Sequence, residues 1–263
     1  MRPLIVHIGL PKTGTTSLQR ELFVRHPQLA LIGKPLNRLH AGMQRLFSAM
    51  LRLEPWEYRR VEPELVALIP ELLDRPGDTV LISEEELATG TLGARVDRLT
   101  IARRLSRLFP AAEIVFTIRE QGDAMRSMYG ELCRLGAVDA PFPRWAAHTL
   151  ALPETAAGLH LFRYDELLEL YGELFERVHV TVYEELREHP EVFIRGLSDI
   201  LRVDADEAWR LFEQGVTHNP SRTAEFWPER HLSAVHDRFA ASNHRLAAAT
   251  GLDLCAHGYS LGA

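Results

Sequence analysis

Cysteine is nearly absent: the 263 residues hold two, Cys133 and Cys255, far apart and with no CxxC pair. A disulfide scaffold and a cysteine zinc site are both excluded on those counts. No histidine pair has the four-residue helical spacing of a metal site, so no metal is expected. Long hydrophobic runs are missing as well. No segment approaches the roughly 18 apolar residues of a membrane span. The apolar run Leu4–Ile8 is soon interrupted by Pro11 and Lys12, too early for the apolar region of a signal peptide, so a cytoplasmic protein is expected. Basic residues do not dominate: 30 Lys+Arg stand against 36 Asp+Glu, a formal charge of −6, which excludes a simple electrostatic nucleic-acid binder. Lysine itself is scarce, with only Lys12 and Lys34.

What is present is an ordinary globular composition, 46% hydrophobic and 25% charged, in a chain long enough for one large core. A single domain over 1–263 is expected. Four β-branched or leucine-rich runs read as buried strands: Leu4–Ile8, Thr79–Ile82, Glu113–Ile118 and Val178–Val182. A weaker run, Leu29–Ile32, reads as an edge strand or a turn. Helical patterns lie between them at Thr15–Arg25, Leu39–Leu53, Arg98–Phe109, Gly122–Arg134 and Asp165–Phe175. Later ones cover Pro190–Leu201, Ala205–Glu213 and Glu229–Thr250, the first opened by a proline and the last closed by Gly251. Pro141 and Pro143 mark a local break. The alternation predicts an α/β fold, a central parallel sheet of four or five strands flanked by helices, with a helical C-terminal part.

The turn after the first strand carries chemistry. His7-Ile8-Gly9-Leu10-Pro11-Lys12-Thr13-Gly14-Thr15-Thr16-Ser17-Leu18 joins strand to helix with two glycines, a lysine and four hydroxyls. Glycines let backbone fold around an oxyanion, and the first amides of a helix point at it with the positive end of the dipole. Thr15, Thr16 and Ser17 can add hydroxyl donors, and Lys12 can neutralise charge. A nucleotide P-loop, Gly-x-x-x-x-Gly-Lys-[Ser/Thr], is nearly matched by Gly9, Gly14 and Thr16, but Thr15 stands where the lysine belongs. The later strand ends in Arg119, where an NTPase usually places a magnesium-binding Asp. Both departures count against a kinase.

Pro-Lys-Thr-Gly-Thr-Thr-Ser-Leu after a first strand resembles the 5′-phosphosulfate loop of the sulfotransferases that use 3′-phosphoadenosine-5′-phosphosulfate (PAPS), and its style leans to the bacterial carbohydrate or lipid type. The resemblance implies a P-loop-type fold, PAPS as donor, 3′-phosphoadenosine-5′-phosphate as product, and Pro11, Lys12, Thr13, Gly14, Thr15, Thr16 and Ser17 around the 5′-phosphosulfate. It implies a second site too. In the family an Arg at a strand end and a Ser about two helical turns later hold the 3′-phosphate, and Arg119, Ser127 and Tyr129 match that pattern. An Arg fork and a short neutral donor suit phosphate oxygens. Gln121-Gly122 replaces the proline-rich turn common after the family's Arg.

Between the two motifs the strand Thr79–Ile82 leads into Ser83-Glu84-Glu85-Glu86. In open α/β sheets ligands bind at the carboxyl ends of strands, so these carboxylates belong with the first loop. The family's Glu at this strand end, the base for the acceptor hydroxyl, aligns with Glu85. Glu84, Glu86 and His40 remain rivals for the role, and carboxylates at a helix start are also what the dipole favours. His7, within a strand, reads as a packed core residue. Late in the chain, Thr217-His218-Asn219-Pro220-Ser221-Arg222 resembles the family's donor-closing loop, which brings in Asn219, Ser221 and Arg222. The expected activity is sulfuryl transfer to a hydroxyl of a small molecule or glycan, without nucleic acid or membrane span. The alternatives are a P-loop small-molecule kinase and a non-catalytic phosphonucleotide-binding protein.

Overall fold

The computed structural model describes residues 2–34, 41–89, 96–215 and 227–262. These gather into two compact units: Met1–Thr117 with Leu170–Val216, and Ile118–Glu169 with Thr217–Ala263.

The first unit is built on a five-stranded parallel sheet in the order β2-β3-β1-β4-β5. Its strands are β1 (Leu4–His7), β2 (Leu29–Gly33), β3 (Thr79–Ser83), β4 (Glu113–Ile118) and β5 (Val178–Val182). All four runs expected as strands are strands, and Leu29–Ile32, left open between edge strand and turn, is the edge strand β2. Every residue of β3 is buried, as continuous apolar runs in a parallel sheet predict. The register pairs His7 with Ser83 and with Val115, and Gly33 with Ser83. One face of the sheet carries Ile5, Leu81 and Val115 at alternate positions. They form a cluster with Leu22, Phe23, Phe193, Leu197 and Phe212. By the same alternation His7 and Ser83 lie on that face at the carboxyl end of their strands.

The helix expected over Thr15–Arg25 is divided. α1 (Thr15–Ser17) gives way to a π-helical turn, Leu18–Phe23, in which the Val24 amide reaches back to the Gln19 carbonyl. The stretch after 39 forms α2 (Ala41–Arg52) and α3 (Pro55–Leu73). Tyr58 is 2% exposed and lies under the Arg104 guanidinium, 4.2 Å from it, whereas Trp56 stands in solvent at 56%. Arg104, on α5 (Arg98–Leu108), also donates to the Met50 and Leu53 carbonyls at 2.7 and 2.8 Å, closing the end of α2. A short α4 (Glu86–Thr89) follows β3.

In the second unit α6 (Gln121–Arg134) is capped by Glu120, whose carboxylate accepts from the Gly122 and Asp123 amides at 2.8 Å. α7 (Phe142–Ala151) begins with Pro143 in its first turn, so the prolines that read as a break open a helix. Tyr129, Phe142, Trp145 and Trp227 form an aromatic cluster there, and Trp227 Nε1 donates to the Gly122 carbonyl at 3.0 Å. α8 (Glu154–Ala157) and α9 (Tyr164–Gly172) follow. The chain closes the first unit with α10 (Tyr183–Glu188), α11 (Pro190–Leu201) and α12 (Ala205–Gly215), and the second with α13 (Glu229–Thr250), ended by Gly251 at φ 73°. No helix among the described residues is long and apolar enough to cross a membrane.

Candidate active site

The loop between β1 and α1 has an anion-cradle geometry. Gly9, Lys12 and Gly14 all adopt positive φ, at 62°, 70° and 80°. Gly14 is the N-cap of α1, and the Ser17 and Leu18 amides return to its carbonyl at 3.0 and 3.1 Å. The amides of Gly14, Thr15 and Thr16 are therefore the donors that a helix start leaves for an outside acceptor, and that of Thr13 belongs to the loop before it. Lys12 is exposed at the loop's tip, in a left-handed conformation uncommon for a non-glycine residue.

The four hydroxyls divide into two pairs. Thr13 Oγ1 donates to the Leu10 carbonyl at 2.7 Å and lies 3.3 Å from Thr15 Oγ1, which itself approaches Leu10 O at 3.4 Å. Both side chains are buried, so their hydroxyl protons brace the loop from inside. The Thr15 amide, at the first position of α1, is a further donor at this point of the loop. Thr16 and Ser17 are exposed and keep their hydroxyls available. Pro11 is half-buried and sets the turn into Lys12.

The three glutamates after β3 occupy different environments. Glu84 is 4% exposed, and its carboxylate holds Lys34 Nζ at 2.9 Å and the Glu86 amide at 3.2 Å. Burial works against the Lys34 ammonium, but attraction and a hydrogen bond from Glu84 outweigh it and raise its pKa. Glu84 is thus committed to a structural ion pair. Glu85 is half-buried and touches the loop: a Cβ built on Gly9 would lie 2.9 Å from its Cγ. Burial raises the Glu85 pKa, with Glu84 and Glu86 adding to the effect and Lys34 and Lys12 opposing it. Of the three, Glu85 combines contact with the loop and raised basicity. His40 lies outside the described residues, as do Asn219, Ser221 and Arg222.

His7, Gln19 and Ser83 meet below the loop. Ser83 Oγ is 2.9 Å from His7 Nδ1 and accepts from Gln19 Nε2 at 3.0 Å. His7 is 1% exposed, edge-on to Phe23, and burial lowers its pKa to about 4, so the core reading holds and the ring is neutral. Gln19 and Ser83 were not among the expected site residues, and neither carries a motif that would have marked it.

The residues expected for the 3′-phosphate, Arg119 and Ser127, both lie in the second unit. Arg119 follows β4 directly and is 7% exposed; Tyr164 Oη donates to its carbonyl at 2.7 Å, which fixes the backbone there. Its guanidinium stands 3.9 Å from the Asp123 carboxylate, and Asp123 also binds Arg126. Asp123 and Ser127 are four residues apart on α6 and share one face. Ser127 is half-buried. Tyr129 is on a different part of α6, with its hydroxyl donating to the Ala140 carbonyl at 3.0 Å. Its role is packing within the aromatic cluster.

The sequence profile of the Sulfotransferase family matches residues 3–207. Among solved structures, a sulfotransferase from Alicyclobacillus acidocaldarius is similar at 19% identity and a TM-score of 0.67, covering 98% of this chain and 99% of that one. The sulfotransferase domain of the Synechococcus PCC 7002 olefin synthase is similar at 18% identity and a TM-score of 0.51, over 91% and 95% of the two chains. At these identities the likeness is one of fold. No curated protein matches the chain.

Proposed function

The chain belongs to the sulfotransferase family and is a sulfotransferase, and we propose that it takes its sulfuryl group from PAPS and gives it to a hydroxyl of a small molecule or glycan. The observation that carries this reading is the contact of Glu85 with Gly9, which sets a carboxylate of raised basicity against the anion-cradling loop.

The residues suit the donor. Amides of 13–16, with the Thr16 and Ser17 hydroxyls, would receive the 5′-phosphosulfate. Arg119 and Ser127 would take the 3′-phosphate, the group that ATP lacks. Asn219, Ser221 and Arg222 stay in the proposal on resemblance alone. The fork of Arg119 gives two parallel charge-assisted bonds to phosphate, which a lysine would not.

In the reaction, the acceptor oxygen attacks sulfur in line with the bridging oxygen of the 5′-phosphate. The new O–S bond forms as the old S–O bond breaks, and the bonding pair stays on the phosphate. Lys12 and the loop amides stabilise that growing charge, positive groups fixed in advance where negative charge develops. Glu85 takes the acceptor proton. A carboxylate whose ionised form is disfavoured by burial is a stronger base than an ordinary surface one. Positive charge from Lys12 and the loop fills the role that magnesium has in kinases, so transfer is expected to proceed in EDTA. Two free cysteines agree with a reducing cytoplasm as its place of work.

The test is transfer of radiolabelled sulfate from PAPS, in EDTA, to a panel of hydroxyl acceptors. Label appearing in an acceptor with wild-type protein and not with Glu85→Gln supports the assignment. Equal transfer by both proteins removes Glu85 as base, and transfer that needs magnesium and ATP removes the reading as a whole.

A further inference from the structure

Three segments meet at the candidate base and donor loop, and each is held two residues away from it. His7 precedes Gly9 by two residues, Gln19 follows Ser17 by two, and Ser83 precedes Glu85 by two. These same three side chains share one oxygen, Ser83 Oγ, in a fully buried position.

We propose that Ser83, bonded at once to His7 and Gln19, is a positioning residue that fixes the donor loop against Glu85; this rests on the donor reading given above. The hydrogen bonds have a definite direction. Gln19 Nε2 can only donate, so it occupies a lone pair of Ser83 Oγ. The serine proton then has His7 Nδ1 as its acceptor. That arrangement places the imidazole proton on Nε2, which has no hydrogen-bond partner among the described residues. The reverse arrangement would leave the serine proton unpaired in addition to Nε2, so the chain Gln19 to Ser83 to His7 leaves fewer buried groups unpaired.

Ser83 is also the point where the backbone is closest. A Cβ on Gly33 would lie 2.1 Å from the Ser83 carbonyl oxygen, which accepts from the Lys34 amide at 3.1 Å. The Glu84 amide donates to the His7 carbonyl at 3.1 Å. The entry strand of the loop, its exit turn and the strand that delivers Glu85 are thus tied through one residue. The π-helical turn belongs to this arrangement. It begins just before Gln19, and a widened turn changes the direction in which Gln19 leaves the helix.

Positioning can be separated from plain stability because binding and ionisation are reciprocally linked. A 5′-phosphate held in the loop faces Glu85 across the distance that Ser83 maintains. The charged groups acting on Glu85 are Lys34 beyond β2, Lys12 on the loop, and Glu84 and Glu86 on its own segment. The probe is adenosine 3′,5′-bisphosphate, titrated calorimetrically at a series of pH values into folded wild type, Glu85→Gln, Ser83→Ala and Gln19→Met. In wild type, affinity falls about tenfold as Glu85 ionises. Glu85→Gln removes that pH dependence. Ser83→Ala keeps its affinity below the Glu85 titration within about twofold, and loses more than half of the pH-linked change. Gln19→Met does the same and keeps the test open if Ser83→Ala does not fold. The double variant is no worse than either single one, since both act through one oxygen. Folded Ser83→Ala and Gln19→Met that retain the wild-type pH dependence overturn the positioning role alone. Wild type that binds no bisphosphate at any pH overturns the donor reading, and this proposal with it.

Discussion

Gly9 and Glu85 are in contact: the loop backbone passes so close to the carboxylate side chain that a methyl group on Gly9 would sit 2.9 Å from Glu85 Cγ and 3.1 Å from its Cα. Only a residue without Cβ brings the loop and the candidate base together without displacing either, and the φ of 62° favours glycine for a second reason. Gly9→Ala is therefore expected to lower stability by roughly 1–3 kcal/mol, from strain at positive φ and displaced neighbours, and to weaken bisphosphate binding. Urea denaturation and calorimetry on the same variant check both effects.

Glu85→Gln is expected to remove activity without harming the fold. The pKa of Glu85 is raised in the folded state, so its contribution to stability is fully present below the ordinary carboxylate range and is lost as pH rises through the raised value. Once ionised, the carboxylate opposes folding, and glutamine removes that opposition. The urea midpoint of the variant should equal or exceed wild type at pH 8. A clearly lower midpoint there would mean that Glu85 is held by a stabilising partner.

His7 produces the opposite dependence at acid pH. Its folded pKa is lowered from 6.5 to about 4, so the unfolded chain binds the proton first. The stability contributed by the neutral ring is complete above pH 6.5 and disappears as pH falls through that range to the folded value. About 3 kcal/mol is at stake across the window for a fully buried ring. His7→Asn can set an amide oxygen near the Nδ1 position as acceptor for Ser83 and cannot take up a proton. Between pH 6.5 and 4.5 its stability should fall less steeply than that of wild type.

Arg119→Ala should weaken adenosine 3′,5′-bisphosphate by about 10- to 100-fold, as loss of a charge-assisted phosphate pair predicts, while leaving adenosine 5′-phosphate nearly unchanged. Comparing the two ligands by calorimetry isolates the 3′-phosphate. Equal losses for both would assign Arg119 to the helix start and its Asp123 contact instead.

Much of the fold could be read from the amino acids because apolar runs and glycine-rich turns act locally. Pro190 opens α11 and Gly251 ends α13 where their residue types require. Leu29–Ile32 was ambiguous because four apolar residues do not separate strand from turn; pairing with β3 decides it. The division of Thr15–Arg25 into α1 and a π-helical turn has no signal in the periodicity, since Gln19 is drawn to Ser83 across 64 positions of sequence. In the site, residue types marked the loop, Arg119 and the acidic cluster. They could not show that the Thr13 and Thr15 hydroxyls turn inward to Leu10, or that Lys34 occupies Glu84 and leaves Glu85 at the loop. Those distinctions depend on side-chain direction in three dimensions. Trp56 and Tyr58, two positions apart on α3, make the same point: one faces solvent and the other lies under Arg104.

The most direct measurement is calorimetric titration of the purified protein with adenosine 3′,5′-bisphosphate in EDTA, with ATP as the control. The account predicts saturable binding of the bisphosphate and none of ATP under the same conditions. Binding of ATP alone, appearing only when magnesium is restored, would contradict it.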